Sequence, residues 1–179
     1  MIRRVGLSFL ASVLALIAIE VMGQSGQPKK AVEQSFKGAT NSFMTAIKER
    51  DVDTVMRFIP GTGVALGHDA PGVPRDQLLT ELKRRTGFYC ELFGGSCTDR
   101  EFERHVGYPP SHHIPSYREL LIQPRVVAIK QDDLDFQNGY WWGNLTLKRR
   151  HPVEGLATFY YFDFIQQNHH WYLMSIWRE

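Results

Sequence analysis

Three aromatic-rich runs near the C-terminus constrain this chain more than any other feature. They are Tyr140–Leu147, Leu156–Gln166 and Trp171–Trp177, dense in Tyr, Trp, Phe, Thr and Leu, residues that suit a pleated, half-buried surface. His151, Pro152, Glu154 and Gly155 break the first run from the second, and Gln167, Asn168 and His169 the second from the third. Connections this short join antiparallel neighbours, because a parallel crossover needs a dozen residues or more. In the middle run Thr158, Tyr160, Phe162 and Phe164 share one face, and Phe159, Tyr161, Asp163 and Ile165 the other. The last run is also apolar on both sides, with Trp171, Leu173 and Trp177 against Tyr172, Met174 and Ile176. A sheet with one wet face alternates apolar and polar residues. Here neither face does, so the expectation is that helices cover one side and a second copy of the protein the other.

The 179 residues suffice for one domain with a sizeable core. The start reads as a signal peptide. Arg3 and Arg4 are its basic region, Val5 to Ile19 its apolar region, and Val21-Met22-Gly23 its cleavage site, so residues 1–23 are removed and the protein is exported. An uncleaved membrane anchor is the rival, although the apolar stretch is short for a span of about twenty residues. Loss of Arg3, Arg4 and Glu20 leaves 19 basic and 18 acidic residues of the 21 and 19 in the whole chain. A balance so near zero draws the protein neither to nucleic acid nor, after cleavage, to a membrane surface. Cys90 and Cys97 enclose a Gly-containing loop, and in an oxidising compartment a disulfide is their plain reading, contributing about 2 kcal/mol. A redox or metal pair is the alternative, but the spacing is not C-x-x-C.

Residues 24–30 read as a loose mature N-terminus, followed by one domain over 31–179. Between Ala31 and Arg50, Val32, Phe36, Ala39, Phe43, Ala46 and Ile47 mark one helical stripe. Asp51 reads as the N-cap of a second helix that Pro60 stops, with Val52, Val55, Met56 and Ile59 inward. Thr62 to Leu66 suits an edge strand. Pro74 opens a third helix carrying Leu78, Leu79 and Leu82, and Gly87 is the candidate to end it. Residues 88–118 have no clear period and read as an insertion. Leu120 to Lys130 reads as a strand and Gln131 to Gly139 as its turn.

Phe43-Met44-Thr45-Ala46-Ile47-Lys48-Glu49-Arg50-Asp51-Val52-Asp53 resembles the long helix, acidic turn and second helix of the nuclear transport factor 2-like superfamily, to which ketosteroid isomerase and SnoaL-type polyketide cyclases belong. Val73-Pro74-Arg75-Asp76-Gln77-Leu78-Leu79 is similar to the entry of that family's third helix, and His170 to Trp177 to its closing strand. The resemblance implies an α+β cone: a curved antiparallel sheet wrapped around three N-terminal helices, with a pocket at its open end and dimerisation through the sheet. It implies no single activity, since one fold hosts many.

The family's catalytic motif has no residue-by-residue match here. Asp163 is the local candidate for a base if it points into the pocket, with Tyr161 on the same strand face as a donor. The alternative for Asp163 is pairing with a neighbouring strand or exposure at the rim. His68 and Asp69 end the short strand and are candidates for the cone's mouth, or else form a turn in which Asp69 bonds its own backbone. Tyr140, Trp142, Tyr160 and Phe162 are the aromatic candidates for the pocket lining. His105, His112, His113, His169 and His170 fall in loops or side by side, a poor arrangement for converging metal ligands, so no metal and no cofactor is expected. The insertion, with Tyr108 and Tyr117, is either a lid over the pocket or packing. These observations lead to an exported domain binding a small apolar ligand or a protein partner. The alternatives are a cofactor-free isomerase or lyase of a hydrophobic carbonyl compound, and an anchored part of an envelope assembly.

Overall fold

A computed structural model describes residues 27–67, 70–95, 116–122, 126–150 and 157–178. The leader, His68, Asp69, Cys97 and most of the 88–118 stretch lie outside the described residues. The first helix, α1 (Lys29–Glu49), buries Val32, Phe36, Phe43, Ala46 and Ile47 along the expected stripe. It ends where Arg50 turns left-handed, its N–H donating to Ala46 O and Ile47 O. Asp51 then caps α2 (Val52–Phe58), its Oδ1 accepting from Thr54 N at 3.0 Å and its Oδ2 from Thr54 Oγ1 at 2.7 Å. These bonds hold the Asp51 carboxyl below its usual range.

Two short strands follow, β1 (Val64–Leu66) and β2 (Gly72–Val73), then α3 (Arg75–Arg84), α4 (Phe88–Phe93) and α5 (Tyr117–Ile122). Pro74 takes the N-cap position of α3, while Arg85 rather than Gly87 makes its left-handed exit. Gly87 instead stands at the N-cap of α4. The strands β3 (Val126–Gln137), β4 (Tyr140–Arg150), β5 (Ala157–Gln167) and β6 (His170–Arg178) complete a six-stranded sheet in the order β2-β1-β6-β5-β4-β3. The expected all-antiparallel sheet is therefore corrected to a mixed one, because β1 runs parallel to β6. With β2 outside it, β1 is an interior strand. The helical layer, too, holds more than three helices, since α4 and α5 join it.

Two further expectations fail for identifiable reasons. Tyr117–Ile122 is helical, so the strand begins at Val126; a short apolar run does not distinguish the two states. The stretch read as a turn, Gln131 to Gly139, is mostly strand, with only Asn138 and Gly139 turning. Its acidic residues are tolerated because β3 pairs on one side alone, with β4, and keeps Asp133 and Asp135 in water. A bulge between Lys130 and Asp133 lets Gln131 reach α1, where its Nε2 meets Thr40 Oγ1 at 3.0 Å and Asn41 Oδ1 at 2.9 Å.

The core lies between α1 and the inner face of β4, β5 and β6. Phe36 meets Trp171 at a ring distance of 4.8 Å and Phe164 at 5.9 Å. Phe43 meets Phe162 at 5.6 Å, Phe164 at 5.5 Å and Phe58 of α2 at 5.2 Å. Edge-on pairs of this kind contribute about 0.5–1.5 kcal/mol each beyond area burial. The helix approaches this closely because β4 offers Gly143: a Cβ there would sit 2.6 Å from Phe36 Cε2 and 2.9 Å from Leu134 Cδ2. Gly143→Ala should therefore cost about 1–3 kcal/mol by overpacking. Chemical denaturation checks it, and a loss that shrinks when Phe36→Leu is added would identify the ring as the obstacle.

Candidate functional site

The sheet divides the aromatic candidates between its two faces. Tyr160 and Phe162, at 4% and 1% exposure, point inward and are packed. Tyr117 of α5 lies against both, at ring distances of 5.8 and 4.6 Å. Asp163 and Tyr161 point the other way, out from the helices, in β-sheet alternation with them. Trp142 shares that outer face opposite Ile165, and Tyr140, 39% exposed, stands at its edge beside the β3–β4 turn. The four aromatic candidates thus lie on opposite faces of the sheet.

Asp163 sits in a dense polar knot on the outer face. Its Oδ1 accepts from Asn144 Nδ2 at 2.6 Å, and its Oδ2 accepts from Trp177 Nε1 at 2.9 Å and from Ser175 Oγ. Thr146 Oγ1 in turn donates to Asn144 Oδ1. Donors from β4 and β6 thus bind one carboxylate on β5 between them. Such charge-assisted bonds are stronger than neutral ones, and here they tie three strands together. A base facing the space under the helices would need the opposite strand face.

The last strand reaches this knot by a change of phase. Between Asp163 and Phe164 the register with β6 shifts, so that Ser175 and Leu173 are the successive partners and Met174 is extra. Simple alternation groups Trp177 with Trp171 and Leu173; the bulge instead turns Trp177 outward and buries Ile176. Trp177 then stacks on Tyr161 at 3.8 Å and 16°, with Phe159 next in the row at 6.2 Å from Tyr161. Lys148 Nζ stands 5.5 Å over the Phe159 ring.

A buried acid that the sequence reading passed over lies on the inner side. Every residue of α4 is buried, Glu91 among them at 7% exposure, and its Oε2 has no hydrogen-bond partner. Burial pushes its pKa up to about 8; Arg178 opposes that shift and Glu81 adds to it. Burial also raises the Tyr117 hydroxyl, with the Glu91 charge adding to the effect. An acid inside the run Phe88-Tyr89-Cys90-Glu91-Leu92-Phe93 was the available signal.

An open cleft of about 440 Å³ runs beside α3, lined by Asp76, Gln77, Thr80, Arg84 and Thr86 among others, and holds none of the described sequence candidates. Glu81 at its side is committed to the scaffold, accepting from Phe88 N at 2.9 Å and Gln77 Nε2 at 3.0 Å. His169 takes the β5–β6 turn with φ of 61°, and His170 faces Arg57 O at 3.1 Å. No group of three potential metal ligands occurs among the described residues. Cys90 is buried in α4.

No protein-family model matches the chain, and no curated protein matches it. Among solved structures it is similar to a substituted variant named Rd1NTF2_05, at 10% identity and a TM-score of 0.39, over 78% of this chain and 91% of that one.

The knot predicts the behaviour of Asp163 under substitution. Asp163→Ala leaves Trp177 Nε1, Ser175 and Asn144 without their acceptor, and stability should fall by about 1–3 kcal/mol. Equilibrium denaturation followed by Trp fluorescence checks it; an unchanged midpoint would remove the structural role.

Proposed function

We propose that this chain is an exported, non-catalytic binding domain of the nuclear transport factor 2-like kind, which pairs with a second copy of itself through the outer face of its sheet. The observation that carries the reading is the row Phe159, Tyr161 and Trp177, set with Trp142 and Tyr172 on the face turned away from the described helices. Interfaces concentrate aromatic residues at the centre and charge at the rim. The rim here is self-complementary. Asp135 and Asp133, the latter paired with Lys130 at 3.0 Å, lie toward the β3–β4 turn, while Lys148 and Arg150 lie at the far end of β4. A two-fold axis running across the strands sets the acidic end of one copy against the basic end of the other, as a closed dimer requires.

The committed bonds of Asp163 favour this reading over a cofactor-free isomerase, since the carboxylate serves the outer face. Export rests on the basic and apolar leader, and bridging of Cys90 to Cys97 follows from the compartment.

Sedimentation velocity tests the pairing. The mature protein should run as a dimer at micromolar concentration, and Tyr161→Glu, which puts a charge at the centre of the row, should run as a monomer with an unaltered fold. A monomeric parent protein, or a dimer that tolerates the change, would refute it. Mass spectrometry of protein from an export-competent host should give a chain starting at Gln24 and lacking the two thiol hydrogens. A retained Met1 would favour the anchored alternative.

A further inference from the structure

The short helix α4 combines features that a purely structural helix does not need. It is buried on every side, yet it carries an ionisable residue with a bare oxygen, Glu91 Oε2. Glycines in unusual backbone states bracket it: Gly87 with φ of 46° before it, and Gly94 and Gly95 with φ of 63° and 115° after it. Such positions let a segment swing as a unit without straining a side chain. Gly94 also abuts α5, since a Cβ on it would meet Ser116 Oγ at 2.7 Å. Just beyond Ser116, α5 places Tyr117 over Tyr160 and Phe162.

We propose that α4 and α5 form a proton-held cover on the inner face of the sheet, closed while Glu91 carries its proton and released when it loses it, uncovering Tyr160 and Phe162 for an apolar ligand. This goes beyond the pairing of copies, which uses the opposite face.

The charged groups around Glu91 decide the direction. Arg178 on β6 favours its ionised form, and Glu81 on α3 opposes it. Tyr117 on α5 lies within its influence, with Tyr160 on β5 across from Tyr117. Just after α1, Arg50 Nη2 comes 3.9 Å from the Cβ position of Gly95, two residues beyond α4. Burial outweighs Arg178, so the closed form holds the proton up to about pH 8, against 4.5 for a solvated carboxyl. Below the lower value both forms are protonated and the cover has its full stability. Between the two values only the open form loses its proton, so opening gains about tenfold per pH unit. Above the upper value the gain stops.

Hydrogen exchange on the intact mature protein, from pH 5 to 9.5 and corrected for intrinsic rates, reads this directly, the parent's rise ending near pH 8. Amides of α4 and α5 should open about tenfold more per pH unit, while those of β5 keep their protection. Glu91→Gln should make the α4 and α5 profile flat. Arg178→Gln, which removes the cation favouring the charged acid, should carry the rise to higher pH and serves if Glu91→Gln does not fold. A parent profile that is flat, one unchanged by both substitutions, or loss of β5 protection in step with α4 would overturn the proposal.

Discussion

The contact of α1 with the inner face of the C-terminal meander is the constraint on which the other elements depend. Phe36 and Phe43, two turns apart on one helix, insert among Phe162, Phe164 and Trp171 from β5 and β6. A helical period and a strand period meet there: residues seven apart on α1 face alternate residues of β5. Gly143 opens the space for one ring, and Trp171 adds a bond from Nε1 to Ser35 Oγ at 3.1 Å. Once that layer is set, α2 is brought in through Phe58, and α5 through Tyr117.

The inner face is filled from within the chain, and the proposed pairing of copies therefore uses its outer counterpart. The two faces differ in chemistry as well as in cover. Inside, the aromatic rings pack edge to face with aliphatic neighbours. Outside, they stand in a row beside a polar knot whose centre is a carboxylate. A half-buried carboxylate with donors from two neighbouring strands fixes the strand register, and with it the position of Trp177. The knot therefore holds the geometry of that surface in place.

Much of this was legible in the sequence, where one physical signal dominated locally. The α1 stripe, the Asp51 cap, the β5–β6 hairpin and the division of β5 into two faces all follow from period and turn chemistry. The failures mark places where tertiary context overrides that signal. Alternation through β6 misplaces Trp177 and Ile176 because a bulge at Met174 is invisible to a count of two. The acidic part of β3 reads as a turn because an edge strand tolerates charge. Glu91 escaped notice because its stretch has no clear period, although its apolar neighbours on both sides were the available signal. Asp163 stood out as a candidate base, but only the sheet shows that its partners are Asn144, Ser175 and Trp177.

The central claim is that one face of the sheet is closed by the chain itself and the other by a second copy. The tryptophans report on it separately, since Trp171 faces α1 while Trp142 and Trp177 lie outward. Fluorine NMR of 5-fluorotryptophan-labelled protein, followed through a dilution series, measures both faces in one sample. The account predicts concentration-dependent shifts for Trp142 and Trp177 and a constant resonance for Trp171. Outward resonances that stay fixed across the series, or a Trp171 signal that moves with them, would contradict it.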